Sequence, residues 1–148
     1  MFENKKYVLS SIRLEGDAEF VQKTVTALKL IEQSSEDANF VKTYIGIIRQ
    51  SEKSGIWVRE TPPVFCVGKA TYTASSTWYA SAIVHDACHS YLFQKGEVHS
   101  GREAEDTCML RQIAFLRAIG GPAHEISYLE SLIQNKVDYF SDYRSRNW

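Results

Sequence analysis

Three features of this chain predict an α+β domain. Apolar residues recur at spacings of three and four between Asp17 and Ile48, the period of amphipathic helices. Short β-branched and aromatic runs follow between Gly55 and Ala74, broken by Pro62-Pro63 and Gly68-Lys69. Three long helical patterns then fill the rest of the chain. Strand, two helices, strands, three helices is the order of an α+β architecture. With 148 residues, 44% apolar and 24% charged, and no linker or repeat, the expected organisation is a single domain over residues 1–148.

The first element, Tyr7 to Arg13, reads as a strand that ends at Glu15-Gly16. Asp17 is a fitting N-cap for a helix that carries Phe20, Val21, Val25, Leu28 and Ile31. Ser34 opens a second helix, with Phe40, Val41, Tyr44, Ile47 and Ile48 on one side. Ile56 to Val58, Val64 to Val67 and Thr71 to Thr73 read as strands of a small antiparallel-type sheet. Helices are expected over about Thr77 to Phe93, Gly101 to Ile119 and His124 to Tyr143. Gly120-Gly121-Pro122 closes the middle one, with glycine past its end and proline beyond. The aromatic tail from Tyr128 onward reads as a helix that packs on the domain.

Composition excludes several functions. Lys plus Arg number 17 against 18 Asp plus Glu, a net charge of −1, so there is no basic footprint for nucleic acid or an anionic membrane. Cys66, Cys88 and Cys108 are odd in number and widely spaced, which speaks against a disulfide framework or a cysteine zinc knuckle. MFENKKYVLSS lacks a signal-type apolar core, and no window approaches the ~18 apolar residues of a membrane span. The expected setting is cytoplasmic.

The chemistry concentrates in WYASAIVHDACHSYLF, Trp78 to Phe93. Its apolar residues cover nearly the whole circumference, so this helix should be buried on all sides. Tyrosines and Cys88 aside, its ionisable side chains are His85, Asp86 and His89. Burying three such groups together is costly unless they pair or bind a metal. His85 and His89 lie four residues apart on one face, where two ring nitrogens can converge on one zinc ion at about 2.0–2.1 Å. Asp86 sits beside the first histidine, placed to hold or deprotonate a water.

A catalytic zinc site needs a third protein ligand and an open position. Glu105 heads a helical stripe with Met109, Gln112, Leu116 and Ile119 that should face inward, which makes it the favoured ligand. Glu103 is the alternative, although Ser100 and Glu103 also match a capping box that would occupy it at the helix start. Asp106 reads as a solvated first-turn acid, or as a partner for a histidine's far nitrogen. His99, His124, Tyr128 and Tyr139 are candidates to stabilise an oxyanion.

This constellation resembles the zincin metallopeptidases, which carry H-E-x-x-H on a buried helix after a small sheet. The branch whose third ligand is a glutamate on the following helix matches the order of elements from about Gly55 to Ile119. The resemblance implies that His85, His89 and Glu105 hold one zinc ion per chain and that Asp86 is the general base. It also implies that the strand near Thr71 to Ala74 is the edge on which an extended peptide or protein substrate lies. The chain departs from the family at one point: the motif is His85-Asp-Ala-Cys-His89, and Asp is about 1 Å shorter than Glu. A shift of that size can cost on the order of a hundredfold in rate.

The His85-Asp86 pair also occurs in calcium-dependent phospholipases, but no glycine-rich calcium loop precedes it here. Metal-dependent H-D phosphohydrolases need an upstream histidine, and none precedes His85. The sequence therefore points to a zincin-like zinc hydrolase for peptide or amide bonds. A non-catalytic metal-binding or interaction module is the alternative.

Overall fold

The computed structural model describes residues 8–134 and shows an α+β architecture. A 3₁₀ turn, Val8–Ser11, leads into β1 (Arg13–Glu15), α1 (Ala18–Ile31) and α2 (Ser35–Tyr44). Three strands follow: β2 (Ile47–Gln50), β3 (Gly55–Trp57) and β4 (Val64–Val67). Four helices complete the described chain: α3 (Lys69–Tyr72), α4 (Ser76–Gln94), α5 (Arg102–Ala118) and α6 (Ala123–Gln134). Tyr7, Tyr139 and the expected run of the last helix to Tyr143 lie outside the described residues.

The sheet is mixed, not antiparallel as expected. Its order is β1-β2-β4-β3: β1, β2 and β4 run parallel, and β3 alone is antiparallel, on one edge. The parallel pairs are possible because helices and loops carry the chain back between successive strands. Three boundaries also differ from expectation. The first strand begins only at Arg13, after the 3₁₀ turn. Ile47 and Ile48 belong to β2 rather than α2, because the chain turns extended at Ile45 (φ −131°, ψ 127°). Thr71 and Tyr72 are helical and Thr73 caps that helix, since Gly68 starts a short turn and the Thr73 hydroxyl bonds back to the Lys69 carbonyl. The sheet edge nearest the site helix is therefore β3.

Local chemistry sets the helix ends as read. Asp17 accepts from the Phe20 N–H at 2.9 Å, and Ser34 caps α2 through the Asp37 N–H. Beyond α5, Gly120 takes φ +68°, its N–H bonding to Arg117 and that of Gly121 to Leu116, a Schellman closure.

Period-two alternation divides the sheet residues. Ile48, Phe65 and Val67 join the main core with Phe20, Leu28, Ile83 and Phe115, while Ile47, Val64 and Cys66 form a small cluster on the opposite face. Arg49 on that second face bonds Glu15 at 2.7 Å and lies over the Trp57 ring. At the centre runs α4, packed on α1, α2, α3, α5 and β3. Thirteen of its 19 residues are buried, including both histidines and Asp86. From Tyr79 to Ser90 every residue is buried, so this stretch has no solvent face on which to place a charge.

Candidate metal centre

Ser75 caps α4 by accepting from the Trp78 N–H at 3.0 Å, and the uninterrupted helix then carries His85 and His89 one turn apart toward α5. Facing them, α5 starts at Arg102. Gly101 occupies the cap position with φ +92°, a conformation that glycine adopts without strain, and no side chain caps this end. That start takes the place of the expected Ser100–Glu103 box. Glu103 is exposed, whereas Glu105 is buried on the α4 side.

His85, His89 and Glu105 meet. His85 Nε2 is 3.0 Å from Glu105 Oε1, His89 Nε2 is 2.8 Å from Glu105 Oε2, and the two Nε2 atoms are 3.2 Å apart. A tetrahedral ion with bonds of about 2.0–2.1 Å has ligand–ligand edges of about 3.3 Å. The two contacts reach different oxygens of Glu105, and one ligand atom from each residue lies within 4.8 Å of the other two, so the three side chains could hold a single ion. The other ring nitrogens are engaged elsewhere. His89 Nδ1 donates to the His99 backbone carbonyl at 2.7 Å, and His85 Nδ1 is 2.9 Å from Gln112 Oε1. Metal-binding histidines are commonly oriented in this way.

The donor set fits a divalent ion on a second count. Among the described residues, Asp86 Oδ2 and Asp106 Oδ1 are buried carboxylate oxygens without a hydrogen-bond partner. Each directly follows a residue of the cluster, His85 on α4 and Glu105 on α5. Buried oxygens of this kind normally have partners, and a cation or its water would supply one. Two imidazoles and a carboxylate suit zinc.

Electrostatics without an ion show what the cluster does instead. For Glu105, burial opposes ionisation, but its close contacts with both histidines outweigh it and bring the carboxyl down to about 2. For His89, burial works against the cation, yet the Glu105 hydrogen bond and the charges of Asp86 and Glu105 raise it to about 9. Asp86 is pushed up to about 6, mainly by burial, with the two histidines pulling the other way.

The remaining expected residues are dispersed. Asp106 is half-buried and holds neither histidine, whose Nδ1 partners are Gln112 and the His99 carbonyl. The His99 ring packs edge-on against Phe93 at 5.1 Å. His124 is exposed, and Tyr128, also exposed, stacks near Trp78. Cys66, Cys88 and Cys108 are buried free thiols; burial holds the Cys108 thiol above its ordinary range. No described helix is long and apolar enough to cross a membrane.

Gln112 is the site residue that sequence reasoning passed over. It stood in an otherwise apolar inward stripe, and a polar side chain in such a position was the available signal. Comparison with protein-family models, with curated proteins and with solved structures returned no match.

Proposed function

We propose that this chain is a mononuclear zinc-dependent hydrolase of the zincin kind, acting on peptide or amide bonds. The observation that carries this reading is the convergence of His85 Nε2, His89 Nε2 and the Glu105 carboxylate, with the buried, unpartnered Asp86 Oδ2 on the residue next to His85. A zinc ion held there would supply Lewis acidity and an acidified water at neutral pH. Glu105 contributes the single negative charge of the ligand set, and the engaged Nδ1 atoms keep both rings aimed inward.

Asp86 moves the proton. As a buried carboxylate next to the ligand set, Asp86 is the residue that would accept a proton from water and return it to a leaving amine. The edge strand β3, packed against α4, offers its unpaired side to an extended backbone. Beside it lies a shallow cavity of about 280 Å³, lined by Ile56 to Glu60. Arg59 lies 5.0 Å over the Phe93 ring, and Phe93 packs on His99, whose carbonyl holds His89. The β3 end of the domain is thus linked to the ligand set through Arg59, Phe93 and the His99 ring and backbone.

One observation favours a second reading, a metal-binding module without catalysis. The His85 and Glu105 side chains are 1% exposed and His89 only 8%, so little of the site meets solvent. The two readings separate in one experiment on the untagged protein. About one zinc per chain, lost in His85→Ala and Glu105→Ala, establishes the centre. Turnover of a peptide library that falls about 10²–10⁴-fold in zinc-loaded Asp86→Asn supports the hydrolase. Unchanged turnover in that variant refutes the role of Asp86, and full zinc without any turnover leaves the module.

A further inference from the structure

The structure assigns to Gln112 and Ser81 the task of deciding which nitrogen of His85 carries hydrogen, and so of making it a metal donor. They are positioning residues, and their service to the ion rests on the zinc reading above.

The two histidines are held differently. His89 Nδ1 faces a backbone carbonyl, which can only accept, so its Nδ1 must carry the hydrogen and its Nε2 is left with the lone pair. His85 Nδ1 faces a primary amide. An amide can present either its oxygen or its NH₂, and the two choices have opposite results for the ring. With the oxygen toward His85, Nδ1 is the donor and Nε2 is available to an ion. With the NH₂ toward His85, Nδ1 must accept, and Nε2 carries a hydrogen where the ion would sit.

A chain of three hydrogen bonds, the two at Gln112 fully buried, selects between them. The Ser81 hydroxyl donates its one hydrogen to the Trp78 carbonyl at 2.8 Å. Its oxygen can then only accept from Gln112, whose Nε2 lies 2.9 Å away. Gln112 must therefore turn Oε1 to His85 Nδ1, at 2.9 Å. The polarity starts at a helix carbonyl that cannot reverse and passes through a hydroxyl and an amide to the imidazole. Ser81, His85 and Gln112 are all fully buried, so water does not compete for these bonds. Ser81 also lies one helical turn before His85, which keeps the relay and the ligand on one rigid element.

The relay predicts an unusual order among variants. Gln112→Glu keeps an acceptor toward His85, because a carboxylate has no other polarity, whereas Gln112→Met has similar bulk and no strong acceptor. The measurement is zinc affinity by competition with a chelator, on the full chain, together with ¹⁵N chemical shifts of the His85 ring. Gln112→Met should weaken zinc binding about 10–100-fold, while Gln112→Glu stays within about threefold of the parent. A side chain that merely fills space would give the opposite order, since a buried carboxylate disturbs packing more than a thioether. Ser81→Ala frees the amide to turn, and should weaken zinc binding by about threefold or more and leave His85 as a mixture of tautomers.

The spectra of the unaltered protein need no variant to fold. They should show hydrogen on His85 Nδ1 both with and without zinc. A bare Nδ1 overturns the assignment, as does equal loss of zinc in the Met and Glu variants. If the parent protein binds no zinc, the metal reading fails. The hydrogen order is then still decided by Nδ1 in the metal-free spectrum, so the two failures are distinct.

Discussion

Zinc affinity should climb steeply with pH, because in the metal-free protein a proton competes with the proposed ion for His89. In the metal-free protein the balance of burial against the Glu105 hydrogen bond and the nearby carboxylates raises His89 to about 9. At neutral pH its Nε2 therefore carries a hydrogen toward Glu105, and a ligand nitrogen must be bare. Each ion bound near pH 7 expels about one proton. Below about 9, apparent affinity then rises about tenfold per pH unit, each unit being ~1.4 kcal/mol. Between about pH 6.5 and 8.5 the gain is about a hundredfold, or ~3 kcal/mol. Glu105, held near 2, adds no slope in this window. Calorimetry in two buffers of different ionisation enthalpy measures the protons released, and chelator competition measures the slope. An affinity that changes less than about threefold over this range, with no proton release, would refute the account of how the empty site is neutralised.

Three further outcomes follow from the same structure. Asp86→Asn should stabilise the metal-free protein at neutral pH. The folded pKa of Asp86 lies above the ordinary 3.8, so ionising it costs stability as pH rises from 3.8 to about 6, as much as ~3 kcal/mol above that. The gain in Tm should therefore be larger at about pH 7.5 than at about pH 4, and an equal gain at both would contradict it. Gly46→Ala should cost about 1–3 kcal/mol in denaturant unfolding, because an added Cβ would stand 2.3 Å from the Pro62 Cβ. Tyr79→Phe should lower stability by ~1 kcal/mol, read as a small fall in Tm. The Thr24 hydroxyl donates to the Phe20 carbonyl and accepts the Tyr79 hydroxyl at 2.7 Å, so only one buried bond is lost; no fall in Tm would mean that bond contributes nothing.

What could be read in the sequence was local, and what could not was long-range or carried by backbone. Asp17, Ser34 and Gly120 act within a few residues of themselves, and the helix ends they mark lie where turn and capping chemistry puts them. Tyr44, Ile47 and Ile48 preserve a helical spacing across Gly46, yet α2 stops before it. Gly46 lies against Pro62 and its N–H bonds the Pro63 carbonyl, so the next residues pair with β1 and β4. No residue near Ile47 announces strands 34 and 17 positions away. The site divides in the same way. His85 and His89 followed from spacing on one buried helix, and Glu105 from its place at the head of an inward stripe. The hydrogen-bond partner of His89 is the carbonyl of His99, and a carbonyl has no signature in a sequence.

Charge explains why these four side chains can share so small a buried volume. With both imidazoles neutral, Glu105 and Asp86 leave two negative charges in the core, which the interior cannot hold unpaired. A proton on His89 cancels one of them. Asp86, near 6, gives up the other only in acid, so at neutral pH the empty cluster still carries about one uncompensated charge. A divalent ion cancels both while leaving Asp86 ionised and able to accept a proton. The ion and the His89 proton are therefore alternatives, and the first brings the cluster to neutrality at pH 7. Aspartate preserves this balance as well as glutamate would, since each contributes one charge. Asparagine would break it, leaving a loaded site with an excess positive charge and no proton acceptor. An aspartate at position 86 thus reaches about 1 Å less far than a glutamate would, while carrying the same charge.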